Sequence, residues 1–96
     1  MAELNVEKVT AEIRRIAKTV GWAIGEHGTQ ERDVDLIACP WAGEACSPYA
    51  LVGEILRETH GIVTAINTKP HGRIGFIIQG YGSKIIDLSV MPKDQL

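Results

Sequence analysis

The sequence predicts an α+β domain: a small mixed β-sheet of about five strands with two helices packed on one face. Three observations lead there. Apolar residues recur at helical spacing in residues 6–20 and again in 51–59. Five other stretches are alternating or β-rich. Their order is helix, strand, strand, helix, strand, strand, strand, which a parallel α/β sheet with strictly alternating elements does not give.

The first helix follows Asn5, a suitable N-cap, with Glu7 in its first turn complementing the helix dipole. Val6, Val9, Ile13, Ile16, Ala17 and Val20 make one apolar stripe, and Glu7, Lys8, Glu12, Arg14, Arg15 and Lys18 fill a solvated remainder. Gly21 ends the helix. Residues 22–25 read as a short strand and 26–32 as a polar loop, where His27 is a candidate ligand or proton shuttle or simply exposed.

Next comes Asp33-Val34-Asp35-Leu36-Ile37-Ala38-Cys39. Strict alternation puts Asp33 and Asp35 on one face of a strand and Val34 and Leu36 on the other. The two carboxylates then stand about 7 Å apart along the strand. That spacing suits two oxygen ligands converging on a divalent cation such as Mg²⁺ and its bound phosphate, against the plainer use of two acids at a solvated strand edge.

Pro40 stops this strand from continuing centrally. Cys39 and Cys46, seven positions apart, lack the close CxxC spacing of zinc sites, and Cys39 reads as a small core residue. Trp41 is expected to pack at the strand end, with base stacking as its alternative use. Ser47-Pro48 starts the second helix, whose inward stripe is Leu51, Val52, Ile55, Leu56 and Thr59 and whose stop is Gly61.

Residues 62–66 form a strand and 67–73 a turn that brings Lys69, His71 and Arg73 together. Three cations on one loop suit a phosphate or an acidic partner, or make a charged hairpin tip. Residues 74–79 form the next strand, 80–83 a tight connection, and 84–91 the last strand, ended by Pro92. On it Ile86, Leu88 and Val90 share one face, while Ile85, Asp87, Ser89 and Met91 share the other. Asp87 is thus a third acid interrupting an apolar strand.

Composition bounds the rest. The chain has 96 residues, 45% hydrophobic and 23% charged, enough for one domain and one modest core. Its formal net charge of −2 gives no global field toward nucleic acid or an anionic membrane, so neither is an expected partner. With no 18-residue apolar run and no basic start leading into one, neither a membrane span nor a signal peptide is expected. A cytoplasmic location and reduced cysteines follow as expectations.

The element order, with paired acids on the second strand and one acid on a later strand, resembles the minimal nucleotidyltransferase fold. That family's pattern is a hydrophobic strand ending in Gly-Ser, roughly ten residues of loop, then Asp-hydrophobic-Asp, then a third Asp. Here Ile24-Gly25 ends the first strand, Asp33 falls eight positions after Gly25, and Asp87 lies within Ile86-Asp87-Leu88. The resemblance covers about two thirds of the chain. It implies that Asp33, Asp35 and Asp87 bind Mg²⁺ or Mn²⁺ carrying a nucleotide, that Gly25 lies against the ligand, and that Asp87 activates an attacking hydroxyl as ligand or general base. Glu26 departs from the pattern. It stands where the family has Ser, as a repelling charge or a further ligand. Two strands rather than one also separate the second helix from the strand of Asp87.

The phrases Arg-Asp-Val-Asp-Leu-Ile-Ala, Lys-Pro-His-Gly-Arg and Ile-Asp-Leu-Ser-Val-Met-Pro look like those of small tailed-bacteriophage proteins. This second resemblance implies a host cytoplasm and an accessory role, such as neutralising a host defence.

The leading expectation is a small phage-type, nucleotidyltransferase-like domain. It would bind a nucleotide or other phosphate ligand through a divalent metal on Asp33, Asp35 and Asp87, with Lys69, His71 and Arg73 as phosphate contacts and with turnover open. The rival is a non-catalytic phage accessory protein. It would act as an oligomeric sponge for a signalling nucleotide or as an inhibitor of a host defence protein, presenting Trp22, Trp41 and Tyr81. A virion accessory subunit is a third use.

Overall fold

The computed structural model of the chain describes residues 6–27, 33–41 and 43–92. The order of elements is the expected one. Helix α1 (Val6–Thr19) leads into strands β1 (Trp22–His27) and β2 (Asp33–Pro40). Helix α2 (Pro48–Thr59) follows, then β3 (Ile62–Thr68), a 3-10 turn (Pro70–Gly72), β4 (Ile74–Tyr81) and β5 (Lys84–Val90). The strands lie side by side as β1-β2-β5-β4-β3. Only β2 and β5 run parallel; the other neighbours are antiparallel. This is an α+β fold with a five-stranded mixed sheet.

The core lies between the helices and one face of the sheet. Val9, Ile13, Ile16 and Ala17 of α1 and Leu51, Val52 and Ile55 of α2 are buried against alternate residues of the strands. Those are Trp22 and Ile24, then Val34, Leu36 and Ala38, then Phe76 and Ile78, and last Ile86, Leu88 and Val90. The two periods, 3.6 for the helices and 2 for the strands, meet on this one surface. Ser47 caps α2 by accepting from the Ala50 amide at 3.2 Å, and Pro48 occupies the first turn, where no amide is needed. Asn5 and the loop residues 28–32 lie outside the described residues.

The structure corrects several expectations. β1 runs on to His27, so Glu26 and His27 are strand residues paired with Leu36 and Asp35. β3 likewise continues to Thr68, and β4 to Tyr81, which pairs with Lys84 and leaves a two-residue connection. The left-handed C-cap of α2 is His60, at φ 61°, rather than Gly61. Gly61 is needed for space, because a Cβ there would collide with the Tyr81 hydroxyl.

Cys39 is exposed, not a core residue, because alternation turns Ala38 inward and Cys39 outward. Trp41 does not pack at the strand end, and Trp22, a candidate exposed residue of the rival reading, is in the core. Trp41 is 58% exposed, whereas Trp22 is fully buried and its indole N–H donates to the Cys46 carbonyl at 2.9 Å. Tyr81 is buried too, and its hydroxyl bonds to Thr59. Burial pushes the Tyr81 hydroxyl above its ordinary pKa, and the Thr59 bond opposes that shift.

Candidate functional site

The sheet face away from the helices carries the polar residues that the sequence singles out. Strand order decides which of them meet. β5 lies beside β2, in parallel, and Asp87 is the register partner of Asp35. Their backbones are therefore one strand spacing apart, about 4.8 Å. The same row continues to His27 on β1 and to Ile77 on β4. Asp33 stands two residues along β2, opposite Ile85, and is exposed, while Asp35 and Asp87 are half-buried.

The cations come from the β3–β4 connection. The Lys69 amide donates to the Arg73 carbonyl at 2.9 Å and closes the turn, whose tip is His71 and Gly72 with φ of 67° and 77°. From there Lys69 reaches across β4 and sets its ammonium 3.1 Å from Asp87 Oδ1. Arg73 donates to the Ser89 hydroxyl at 3.3 Å and, through Nε, to the Pro70 carbonyl at 3.1 Å. Ser89 is only 2% exposed although it lies on the face without helices. Lys69 and Arg73 therefore lie along the sheet rather than out in water, their aliphatic stems against it. His71 is exposed at the tip, and no hydrogen bond or ion pair ties it to the acids.

Gly75 allows this crossing. A Cβ at Gly75 would stand 2.5 Å from Lys69 Cε and 2.6 Å from Asn67 Oδ1. The bare backbone of β4 is the channel through which the lysine stem passes to the next strand. The sequence reading did not use Gly75, Asn67 or Ser89. A glycine inside a β-rich run was the available signal, since it marks a close approach of other atoms.

Two expected site residues lie elsewhere. Alternation puts Glu26 on the helix side of β1, where Arg14 of α1 pairs with it at 3.2 Å. It therefore neither faces the acids nor opposes a ligand bound to them. Gly25 is on the acids' face, between β1's edge and Ile37, two residues from the His27–Asp35 row.

Chemically, the row offers two adjacent carboxylates, with Lys69 and Arg73 beside them. Like charges at neighbouring positions repel, and a cation between them offsets the repulsion. Lys69 supplies that charge at Asp87. Among the described residues, no three His, Cys, Asp or Glu side chains form a group able to hold a metal ion alone. Two carboxylates still match the habit of Mg²⁺, which takes one or two from the protein and completes its shell with waters and phosphate oxygens.

Two cavities lie away from this face. One, of about 320 Å³, is lined by Arg14, Lys18, Trp22, Ala23, Ile24 and Trp41. The other, of about 360 Å³, lies between the start of α1 and the end of α2, near Glu12, Glu58 and Tyr81. There Arg15 bridges Glu12 and Glu58, and its hydrogen bond holds the Glu12 carboxyl below its ordinary pKa. No helix among the described residues is long and apolar enough to cross a membrane. Compared with protein-family models and with curated proteins, the chain matches none.

Proposed function

We propose that the helix-free face of the sheet binds a phosphate-bearing ligand of the nucleotide class through a divalent cation on Asp35 and Asp87. The observation that carries this reading is the in-register pairing of Asp35 and Asp87 on neighbouring parallel strands, with Lys69 and Arg73 leaning over the same face. Carboxylate oxygens are the donors that hard cations such as Mg²⁺ or Mn²⁺ select. The cation would bridge the acids to a phosphate and neutralise its charge.

The protein's own residues supply the rest. Asp33 extends the acids to the start of β2 and would hold a metal-bound water. With Asp87 holding a cation, Lys69 would be released to donate to a phosphate oxygen, and Arg73 would offer a second, forked donor. His71 and Gly25 would border the ligand. Any turnover would run through Asp87, accepting the proton of an attacking hydroxyl. The resemblance to minimal nucleotidyltransferases supports this assignment of roles.

Calorimetric titration of a nucleoside triphosphate into the protein, with Mn²⁺ and then with excess EDTA, tests the reading. Binding with Mn²⁺ that disappears in EDTA is expected. Equal binding in both sinks the metal site.

A second reading has its own observation, the cavity beside exposed Trp41 with Arg14 and Lys18 at its rim. An indole face and two cations suit a base and its phosphate without a metal. The protein would then be the non-catalytic phage accessory factor, a sponge for a signalling nucleotide of a host defence. EDTA-resistant binding that quenches tryptophan fluorescence and is lost in Trp41→Ala would select this reading over the first.

A further inference from the structure

The sheet ends differently on its two sides. Along β1, α1 attends the edge: Arg14 Nε donates to the Ile24 carbonyl at 3.3 Å, and its guanidinium holds Glu26. At the other end, β3 closes the strand order among the described residues. Its seven residues, Ile-Val-Thr-Ala-Ile-Asn-Thr, contain no charge and no proline, and all but Val63 are exposed. Edge strands usually carry such guards, because their unpaired amides and carbonyls template another strand.

The apolar surface here is continuous with that edge. Ile66 pairs with Phe76 and so lies on the helix side, where Tyr49 of α2 meets Phe76 edge-on at 5.7 Å. Tyr49 is 61% exposed and Ile66 54%, so the helix layer stops short of the last strand. A bulge between Val63 and Ala65 disturbs the first half of β3, and Ala65 to Thr68 then pair regularly with β4.

We propose that β3 pairs antiparallel with β3 of a second copy, about a twofold axis at Ile66, joining two five-stranded sheets into one. Opposite residues of an antiparallel pair share a face, and a twofold perpendicular to the sheet keeps both helix layers on one side. That symmetry sets Ile66 against the partner's Ile66 and Ala65 against the partner's Asn67. Tyr49 of each copy flanks the seam.

Charge permits a second copy. No like charges meet along the ladder, because Ile62 to Thr68 carry none. The first charge beyond it, Lys69, falls opposite the partner's Val63. Closed twofold dimers are also the commonest assembly for a self-complementary patch. This interface is independent of the ligand reading.

Analytical ultracentrifugation of the full chain, over roughly 1 µM to 1 mM, tests the proposal in the range where a small interface dissociates. A monomer–dimer equilibrium is expected for the wild type and for Glu44→Lys, whose exposed lysine lies before α2 and away from β3. Ile66→Lys, which sets two ammonium groups against each other, is expected to stay monomeric. A wild type that remains monomeric throughout, or an Ile66→Lys variant that still dimerises, overturns it.

Should Ile66→Lys fail to fold, Ile66→Cys in a background with Cys39→Ala and Cys46→Ala, free of both native thiols, gives the same decision. The opposed Cα atoms, about 5 Å apart, suit a disulfide, so mild oxidation should yield a covalent dimer. Absence of that dimer overturns the register.

Discussion

The two faces of the sheet use the same strands under opposite rules. Toward the helices, β2 and β5 present Val34, Leu36, Ala38, Ile86, Leu88 and Val90, each at most 3% exposed. One residue along in each case, the same strands present Asp33, Asp35 and Asp87 to the other side. The helix side is held by close packing, where volume is everything. The acids' side is held by one lysine crossing a glycine and one arginine on a hidden serine. Stability resides mainly on the first face, and the proposed binding belongs to the second. A single strand serves both because its side chains alternate.

The comparison can be broken most forcefully from the packed side. Leu36 is fully buried, so Leu36→Ala should cost about 2–5 kcal/mol in urea unfolding, through lost burial and the cavity left behind. If that variant unfolds at the wild-type midpoint, the helix face is not where stability lies.

A glycine sharpens the contrast on the other side. Gly75→Ala should displace Lys69 from Asp87 and cost about 1 kcal/mol, the scale of mild overpacking. In a Lys69→Ala background the same change should cost less, because one of the two atoms in the way is gone and only Asn67 Oδ1 remains. Strict additivity of the two changes in a double-mutant cycle would show that Gly75 does not serve the lysine's path.

A smaller effect concerns Thr10 on α1. It is 3% exposed, and its hydroxyl finds no partner among the described residues. Thr10→Val keeps the shape and removes that buried polar atom, so it should leave stability equal or raise it by up to ~1 kcal/mol in thermal unfolding. A clear loss would show that the hydroxyl is satisfied.

The smallest effect is the pH response of Tyr81. Its folded pKa lies above the ordinary value of 10.0 because burial disfavours the phenolate. The folded state therefore holds its proton longer than the unfolded chain. The stability this supplies is present below pH 10 and is lost as pH rises through the folded value. Stability curves of wild type and Tyr81→Phe should differ in slope only above about pH 10. Parallel curves there would remove the assignment.

Local pattern made the elements legible from sequence. Helical spacing from Val9 to Val20, Ser47-Pro48 and the alternation around Asp35 all survive in the structure. It also separated the faces, so Asp33, Asp35 and Asp87 were correctly placed away from the core. Strand order was not legible, because it depends on packing between segments far apart in sequence. Only the insertion of β5 between β2 and β4 makes Asp87 the neighbour of Asp35.

The burial of the two tryptophans was not legible either, and Trp41 is the exposed one. Trp22 is buried because the Cys46 carbonyl lies within reach of its indole, and Gly21 brings that segment close. Trp41, two residues past Cys39, borders an open cavity and stays 58% exposed. Cys39 is a different case: alternation from Ala38 already points it outward, against its apolar character.

If Asp35 and Asp87 hold a cation that carries a phosphate, ligand binding stabilises the fold only when metal is present. The most direct test is thermal unfolding of wild type and Asp35→Asn, with and without Mg²⁺ or Mn²⁺, across nucleoside triphosphates and cyclic dinucleotides. A ligand at 100 times its dissociation constant adds ~2.7 kcal/mol, enough to raise the midpoint of a domain this size by roughly 10 °C. The expected result is a rise that needs both metal and nucleotide in wild type. In Asp35→Asn the affinity should fall at least about tenfold, or ~1.4 kcal/mol, and the rise should shrink with it. A rise that is the same without metal, or unchanged in Asp35→Asn, would contradict it.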